Sequence, residues 1–255
     1  MAVKARSALA IATLFLLVAT PTASAQVANP CEGPEAKQLL CPNLRIGRPS
    51  DLYLEHAGPG HLRLRATSNV KSRGKGPMEL HGSRDGWHRM RVAQRILRKN
   101  GGRLVVPTDA TLHFTYVGAY FGGSYWKVHQ LARFELWKVD RERQPTRRVR
   151  LGPKLNYCLR DLELTRPGRR SPSSAHYPGC NQDPFTDAVT LGTSVGWSDI
   201  YPADYDKQWI DVSGLRGCFA FVMRVDPHNL LYESNERDNH SRRLIRLPYR
   251  GQPGC

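Results

Sequence analysis

Short stretches in which apolar and polar residues alternate recur along the chain. Residues 51–56, 61–66 and 89–97 alternate in this way, and turns rich in glycine or proline separate them. A period of two residues is typical of half-buried β-strands, because successive side chains of a strand point to opposite faces of the sheet. No long stretch carries the 3.6-residue period of an amphipathic helix. The pattern therefore predicts an all-β fold, an antiparallel β-sandwich with long loops.

Two longer stretches, residues 111–121 and 125–139, predict neighbouring strands joined across Gly122-Gly123-Ser124. The second stretch has two distinct faces. Its apolar face carries Trp126, Val128, Ala132, Phe134 and Leu136. Its polar face carries Lys127, His129, Arg133 and Glu135. We expect the apolar face to pack into the core of the sandwich.

The first 25 residues have the organisation of a secretory signal peptide. Lys4 and Arg6 give a positively charged start, residues 8–19 form a short apolar run, and Ala23-Ser24-Ala25 is a small-residue cleavage site. The apolar run is too short to cross a bilayer, and no later run is long and apolar enough. We therefore expect residues 1–25 to be removed and the mature chain to be secreted, with no membrane span.

The rest of the chain divides into two parts. Residues 26–50 contain several prolines and little periodicity, so they predict an irregular N-terminal leader. Residues 51–250 then form one domain, because a chain of 255 residues is long enough for a single domain with a substantial core.

The chain is strongly basic, with 38 Lys and Arg against 22 Asp and Glu, a formal charge of +16. Residues 1–25 contain two bases and no acid, so the mature chain carries +14. Such a surface attracts polyanions, which for a secreted protein are cell-wall polymers or headgroups. No helix-turn-helix pattern, zinc-finger spacing or aromatic RNA-binding box supports nucleic-acid binding.

Six cysteines follow the predicted cleavage site: Cys31, Cys41, Cys158, Cys180, Cys218 and Cys255. An even number in a secreted chain favours disulfide bonds, and six cysteines allow 15 pairings. The absence of a C-x-x-C motif argues against zinc binding and thioredoxin-like chemistry. We expect disulfides to staple the long loops of the sandwich.

The stretch from residue 151 to 211 carries a set of motifs at characteristic spacings. Lys154 stands four residues before a Cys-Leu-x-Asp sequence, and Tyr201 stands seven residues before Gln-Trp-Ile-Asp. The motifs, with two from the end of the chain, are Cys158-Leu159-Arg160-Asp161, Ser194-Val195-Gly196, Asp199-Ile200-Tyr201, Gln208-Trp209-Ile210-Asp211, Glu233-Ser234-Asn235 and Asn239. Together they resemble the lysyl oxidase family. The resemblance runs from about residue 51 to 248 and is strongest in the second half.

Lysyl oxidases are copper amine oxidases whose cofactor, lysine tyrosylquinone, is built from their own side chains. The resemblance implies that Lys154 and Tyr201 form this cross-link, and that copper assists. A lysine amine must lose its proton before it adds to a ring, so it needs a desolvated setting or a cationic neighbour. Asp199 is a candidate base, and the alternative for Asp199 is a turn-capping role before Pro202.

The resemblance also implies a β-sandwich and supports a disulfide between Cys158 and Cys180, close to Lys154. By elimination, we assign the other four cysteines to the pairs Cys31–Cys41 and Cys218–Cys255.

The copper motif of the family is not intact. Members with copper sites carry His-x-His-x-His just before the strand that corresponds to residues 132–136, whereas His129 is the sole histidine of residues 120–131 here. If Gly122-Gly123 is a tight hairpin turn, His113 lies on the order of 10–13 Å away along its strand. That is too far for both imidazoles to hold one ion. His88 and His176 are the remaining candidates, although a lone strand histidine is more often structural.

Two classes of function remain open. The first is a secreted copper- and quinone-dependent amine oxidase that converts primary amines, peptidyl lysine or small amines, to aldehydes with O₂. A charge of +14 favours small amines, or amines on anionic wall polymers, over cationic proteins. The second is a non-catalytic secreted β-sandwich that binds cell-wall or matrix polyanions. No G-x-S-x-G, H-E-x-x-H or P-loop motif supports another enzyme class.

Overall fold

The computed structural model describes residues 28–251 and 255. The predicted signal peptide, residues 1–25, lies outside the described residues. Within the described part, no helix is long and apolar enough to cross a membrane. The helical segments found there are three short 3₁₀ turns, Pro34–Gln38, Ala119–Phe121 and Glu236–Asp238.

Apart from these 3₁₀ turns, the regular secondary structure of the described chain is β-strand. The strands are, in chain order, β1 (Leu39–Leu40), β2 (Leu44–Ile46), β3 (Ser50–Gly58), β4 (His61–Ser72), β5 (Met78–Gly86), β6 (Arg89–Arg98), β7 (Arg103–Tyr116), β8 (Ser124–Val139), β9 (Pro145–Tyr157), β10 (Glu163–Leu164), β11 (Ala188–Thr193), β12 (Trp197–Tyr201), β13 (Trp209–Asp211), β14 (Gly217–Val225) and β15 (His240–Leu247).

The strands form two sheets. The larger sheet has the order β11-β5-β6-β7-β8-β14-β15, with β1 paired to β6 and β9 paired to β8. The smaller sheet has the order β10-β12-β4-β13, with β2 and β3 also paired to β4. Neighbouring strands run antiparallel, as in the pairs β7–β8, β8–β14 and β4–β12. The predicted antiparallel all-β fold is confirmed.

One continuous hydrophobic core contains side chains from both sheets. The larger sheet supplies Phe134 from β8 and Phe221 from β14, whose rings meet edge to face with centroids 5.5 Å apart. The smaller sheet supplies Leu64 and Val70 from β4, both fully buried. Burying a side chain of this size stabilises the fold by about 1.5–3 kcal/mol. The alternation seen in the sequence therefore sets which face of each strand enters the core.

The predicted leader is more ordered than expected. Within residues 26–50, β1 pairs with β6 and β2 pairs with β4. The reason is apolar burial, because Leu39 and Leu44 are buried and would otherwise expose their side chains to water. The leader thus bridges both sheets.

All three predicted disulfide pairs are confirmed. Cys31–Cys41, Cys158–Cys180 and Cys218–Cys255 have Cα atoms 5.8, 5.8 and 5.7 Å apart, respectively, within the range that a disulfide requires. The second pair closes a loop that links β9 to β11.

The connection between β7 and β8 differs from the prediction of a tight Gly-Gly hairpin. Strand β7 ends at Tyr116, which pairs with Ser124, and the seven residues between them include a 3₁₀ turn. Gly118, Gly122 and Gly123 supply the positive φ angles that this wider loop needs. The longer loop shifts the register, so that His113 pairs with Lys127.

Gly192 on β11 offers a test of the packing. A Cβ atom there would lie 2.7 Å from the Met78 carbonyl oxygen and 2.8 Å from the ring of Tyr177. We expect Gly192→Ala to destabilise the protein by about 1–3 kcal/mol, because neither neighbour can withdraw easily. Chemical denaturation measures this, with Gly179→Ala as the control, since no atom lies within 4 Å of a Cβ at that position. Equal stability of the two variants would contradict the packing described.

Candidate functional site

Tyr201 lies at the end of β12 with 5% of its surface exposed. Its ring stacks on that of Tyr157, with centroids 4.2 Å apart and planes 7° from parallel. Its hydroxyl oxygen accepts a hydrogen bond of 3.0 Å from the backbone amide of Cys158. Burial, and then the negative charge of Asp199, raise the pKa of the phenol well above its usual value. The ring is therefore held rigidly and its hydroxyl stays protonated.

The amine that lies against this ring belongs to Lys127 on β8. Its Nζ atom is 4.5 Å from the Tyr201 ring centroid and donates a hydrogen bond of 2.8 Å to the hydroxyl of Tyr205. Only 2% of Lys127 is exposed, although the sequence places it on the polar face of its strand. Burial lowers its pKa to about 7, partly offset by the carboxylates of Asp199 and Asp206. A substantial fraction of the amine is thus neutral and nucleophilic near neutral pH.

Asp199 lies inside β12 rather than in a turn. Its backbone pairs with Val70 of β4, its side chain is fully buried, and neither carboxylate oxygen makes a hydrogen bond of normal geometry. The nearest cation is Arg160, whose Nε atom lies 3.8 Å away. Burial raises the pKa of the carboxyl to about 6, against the opposing charges of Arg160 and Lys127. The turn-capping alternative is therefore wrong, and the carboxyl titrates close to neutral pH.

A pocket of about 580 Å³ opens onto Lys127 and Tyr201. This volume suits a small organic ligand. Asp199 is not among the lining residues, which are Tyr120, Phe121, Tyr125, Lys127, Cys158, Arg160, Leu162, Gly179, Cys180, Gln182, Ile200, Tyr201, Pro202 and Tyr205. Two basic side chains, Lys127 and Arg160, thus reach the pocket, and Asp199 acts on Lys127 through its charge without lining the pocket.

The loop between Cys158 and Cys180 forms one wall of the pocket, and Asp161 fixes it. The Asp161 carboxylate accepts hydrogen bonds from the backbone amide and the hydroxyl of Ser194, at 2.6 and 2.7 Å, and from the His176 amide at 2.9 Å. Asp161 and Ser194 belong to two of the motifs quoted above. Their spacing in the sequence therefore reflects a buried hydrogen-bond network that positions the wall.

Lys154 lies on β9, opposite Arg133 of β8, and is exposed. It makes no hydrogen bond, salt bridge or ring contact with any described residue, and its charge acts on His129. Tyr201, in contrast, is contacted by Lys127, Tyr157, Tyr205 and the Cys158 amide. The structure therefore places Lys127, Tyr157 and Tyr205 around Tyr201 and does not bring the Lys154 amine to it.

His129 and His113 stack on each other, with ring centroids 4.0 Å apart and planes 8° from parallel. The expected separation of 10–13 Å is wrong, because the wider β7–β8 loop changes the register. Burial lowers the pKa of both imidazoles, and for His129 the neighbouring His113 and Lys154 add to the effect. His88 and His176 do not join them: His88 contacts Trp87 and Phe114, and His176 contacts Tyr177.

This histidine pair does not fit a copper site of the expected kind. A bound ion lies close to the plane of each coordinating imidazole, and two parallel rings that are stacked cannot both direct a lone pair at one ion. Lys154 and Lys207 act on His129 with charges that repel a cation. The buried Nδ1 atom of His129 has no hydrogen-bond partner, yet one free nitrogen falls short of the several N or O ligands that copper prefers.

The one set of three clustered metal-ligating groups among the described residues lies elsewhere and contains no imidazole. Asp226, Glu233 and Glu236 have carboxylate oxygens within 4.8 Å of one another. Burial raises the pKa of Asp226 to about 6, of Glu236 to about 7, and of Glu233 well above its usual value. Glu233 accepts hydrogen bonds from the Leu44 amide and the Asn239 side chain, so this cluster ties the leader to the last strand.

A family model for lysyl oxidase matches residues 64–253. The chain belongs to the lysyl oxidase family. The protein-lysine 6-oxidase of Sus scrofa is 32% identical to it over 123 residues, which cover 48% of this chain and 43% of that protein. The protein-lysine 6-oxidase of Homo sapiens is 30% identical over 123 residues, which cover 48% of this chain and 26% of the human protein. The chain thus aligns with less than half of each of these relatives.

Sequence reasoning missed three side chains of the site in this family member: Lys127, Tyr157 and Tyr205. Tyr157 directly precedes the Cys-Leu-x-Asp motif, and Tyr205 lies in the loop that leads to Gln-Trp-Ile-Asp. Lys127 lies two residues before His129, within the segment where copper-binding relatives carry three histidines. No sequence signal marks Lys127 as enclosed, because Trp126 and Val128 face the opposite side of the strand.

Replacing Lys127 tests its burial. The unfolded chain binds the Lys127 proton below about pH 10.5 but the folded chain only below about pH 7, so this residue lowers stability as the pH falls through that window. We expect Lys127→Met to raise the free energy of unfolding by on the order of 2 kcal/mol at pH 6, after allowance for residual hydration. The gain shrinks towards pH 10. Denaturation at several pH values measures it.

Lys138→Met, at an exposed position of the same strand, is the matched control and should show no such dependence. A gain for Lys127→Met that is independent of pH would contradict the lowered pKa.

Proposed function

We propose that this member of the lysyl oxidase family is a secreted amine oxidase with its reaction centre at the Tyr201 pocket. The overall reaction converts R-CH₂-NH₂, O₂ and H₂O to R-CHO, NH₃ and H₂O₂. The observation that carries the proposal is the Lys127 amine, mostly desolvated, against the buried Tyr201 ring at the edge of an open pocket. Six cysteines in three disulfides support secretion.

The side chains at the centre supply proton transfer and positioning. Lys127 and Asp199 both titrate close to neutral pH, so the pair can take up a proton from a bound amine and release it. Lys127 faces the pocket and accepts the proton directly. Asp199 does not line the pocket and stabilises the charged form of Lys127 through its own negative charge. Tyr157 and the Cys158 amide hold Tyr201 in one orientation, which lowers the entropic cost of reaching the reactive geometry.

The substrates that best suit this pocket are small primary amines. Arg160 lines the entrance, and the mature chain is strongly basic, so a polycationic protein substrate is repelled. A small amine in its neutral form enters without that penalty, and the aromatic side chains of Tyr120 and Phe121 offer apolar contact.

The lysine tyrosylquinone assignment extends this proposal to Lys154 and Tyr201. Lys154 lies on β9, the strand that ends at Tyr157, which stacks on Tyr201. When formed, such a cofactor supplies an electrophilic ring for amine chemistry. Its formation from Lys154 requires that side chain to leave its exposed position, whereas Lys127 is already next to the ring.

A second candidate follows from the poor fit of copper to His113 and His129. It is a non-catalytic secreted member of the family that binds polyanions through its Lys and Arg surface. The stacked imidazoles and the cationic neighbours of His129 favour it.

Amine-dependent release of H₂O₂ separates the two candidates. We expect the mature, aerobically produced protein, assayed with and without added copper, to release H₂O₂ with a small primary amine. Tyr201→Phe should lose at least about a hundredfold, because it removes the hydroxyl but keeps the stacked ring. Tyr116→Phe, at an exposed tyrosine, should keep full activity. Equal activity in Tyr201→Phe, or no H₂O₂ from the unaltered protein under either condition, would remove the oxidase proposal and leave the second candidate.

Mass spectrometry of the same preparation tests the cross-link. We expect one proteolytic product that joins the fragments containing Lys154 and Tyr201, absent in Lys154→Arg and retained in Lys127→Arg. The reverse pattern would transfer the amine role to Lys127. Finding both fragments separate, with free lysine side chains, would show that no such cofactor forms.

A further inference from the structure

A larger cavity of about 710 Å³ lies apart from the Tyr201 pocket and shares no residue with it. It is open to solvent and is bordered by the end of β4, the loop that follows β10 and the turn before β12, with Arg166, Arg169 and Arg170 exposed. Its lining residues are Ser72, Arg73, Gly74, Arg166, Pro167, Gly168, Arg169, Arg170, Ser171, Val195 and Gly196.

The cavity is positively charged throughout. Four of its lining residues are arginines and none is acidic. Within the described part of the chain, Arg73, Arg166, Arg169 and Arg170 form no salt bridge, although thirteen other arginines do. Burial, together with the charges of Arg166 and Arg45, lowers the pKa of Arg73, as expected for cations held together without a counterion.

Two polar groups of the lining are buried without partners. Ser72 is fully buried and its Oγ atom makes no hydrogen bond, and the Nη1 atom of Arg73 is also unpartnered. A buried donor without an acceptor costs free energy, so each such group in a folded protein calls for an explanation. Both atoms are closed off from solvent, so they lie behind the surface that a ligand would contact.

The cavity is held in shape before any ligand arrives. Arg73 is anchored by a hydrogen bond of 3.2 Å from its Nη2 atom to the Thr165 hydroxyl. The Ser171 hydroxyl donates to the Arg166 carbonyl oxygen at 3.1 Å, and the Arg166 amide donates to the Gly196 carbonyl at 2.9 Å. Gly196 has a φ of +85°, and a Cβ atom there would lie 2.2 Å from the Ser171 Oγ atom. A preformed site loses little entropy when it binds a ligand.

We propose that this cavity binds the phosphate group of a small phosphate monoester. Phosphate offers up to two negative charges and several acceptor oxygens, which match an arginine cluster better than a singly charged carboxylate does. Arg73 and Arg166 are its principal ligands. The volume exceeds what a phosphate group fills, so the organic part of the monoester occupies the remainder.

Calorimetric titration of the full mature protein at low salt tests this, with glucose 6-phosphate as the probe. We expect saturable binding at one site, and no binding of glucose. Arg166→Gln and Arg73→Gln should each weaken binding about ten- to hundredfold, the usual loss for a charge-assisted hydrogen bond. Arg147→Gln, which removes one charge at an exposed position of β9, should leave the affinity unchanged.

Ser72→Ala is a second control. We expect it to change neither the melting temperature nor the affinity, because its hydroxyl is unpaired and fully buried, out of reach of a ligand in the cavity. The proposal would be overturned if the unaltered protein showed no saturable binding, if glucose bound equally well, or if Arg147→Gln weakened binding as much as Arg166→Gln. Tyr201→Phe should bind glucose 6-phosphate normally, so failure of the oxidase proposal leaves this result unaffected.

Discussion

The burial of one lysine amine among tyrosine rings is the constraint on which the candidate site depends. Lys127 is carried into the protein by β8, the strand that also supplies Phe134 to the core. The cost of removing its ammonium from water is offset by its hydrogen bond to Tyr205, the faces of two aromatic rings and the negative charge of Asp199. Such an arrangement survives only where the surrounding core is rigid, and the two packed sheets provide that rigidity.

The fold could be predicted from the sequence because its strands follow a repeated alternation of apolar and polar residues. Period-two alternation selects strands and an even number of cysteines favours disulfides, so the all-β architecture could be predicted, whereas the three pairings came from the family resemblance and from elimination. The leader was harder, because its strands are only two or three residues long and gain their order from Leu39 and Leu44 packing on distant strands. Local pattern carries no information of that kind.

The candidate site could be predicted from the sequence only in part. Motif spacing led to Tyr201 and Asp199, which both lie buried in β12. It could not reveal Lys127, since a lysine in an alternating strand usually faces water. Nor could it place His113 beside His129, because strand register depends on the geometry of the connecting loop, and Gly122-Gly123 fits a tight turn as well as a wider one.

The loop between Cys158 and Cys180 has a double role that follows from its position. Its two ends line the Tyr201 pocket, and its middle carries three of the four arginines of the cavity of about 710 Å³. The Cys158–Cys180 disulfide therefore holds part of the border of both the Tyr201 pocket and the arginine-lined cavity. A thiol-reducing environment would remove this bond from both borders at once and leave the hydrogen bonds of Asp161 to hold the loop.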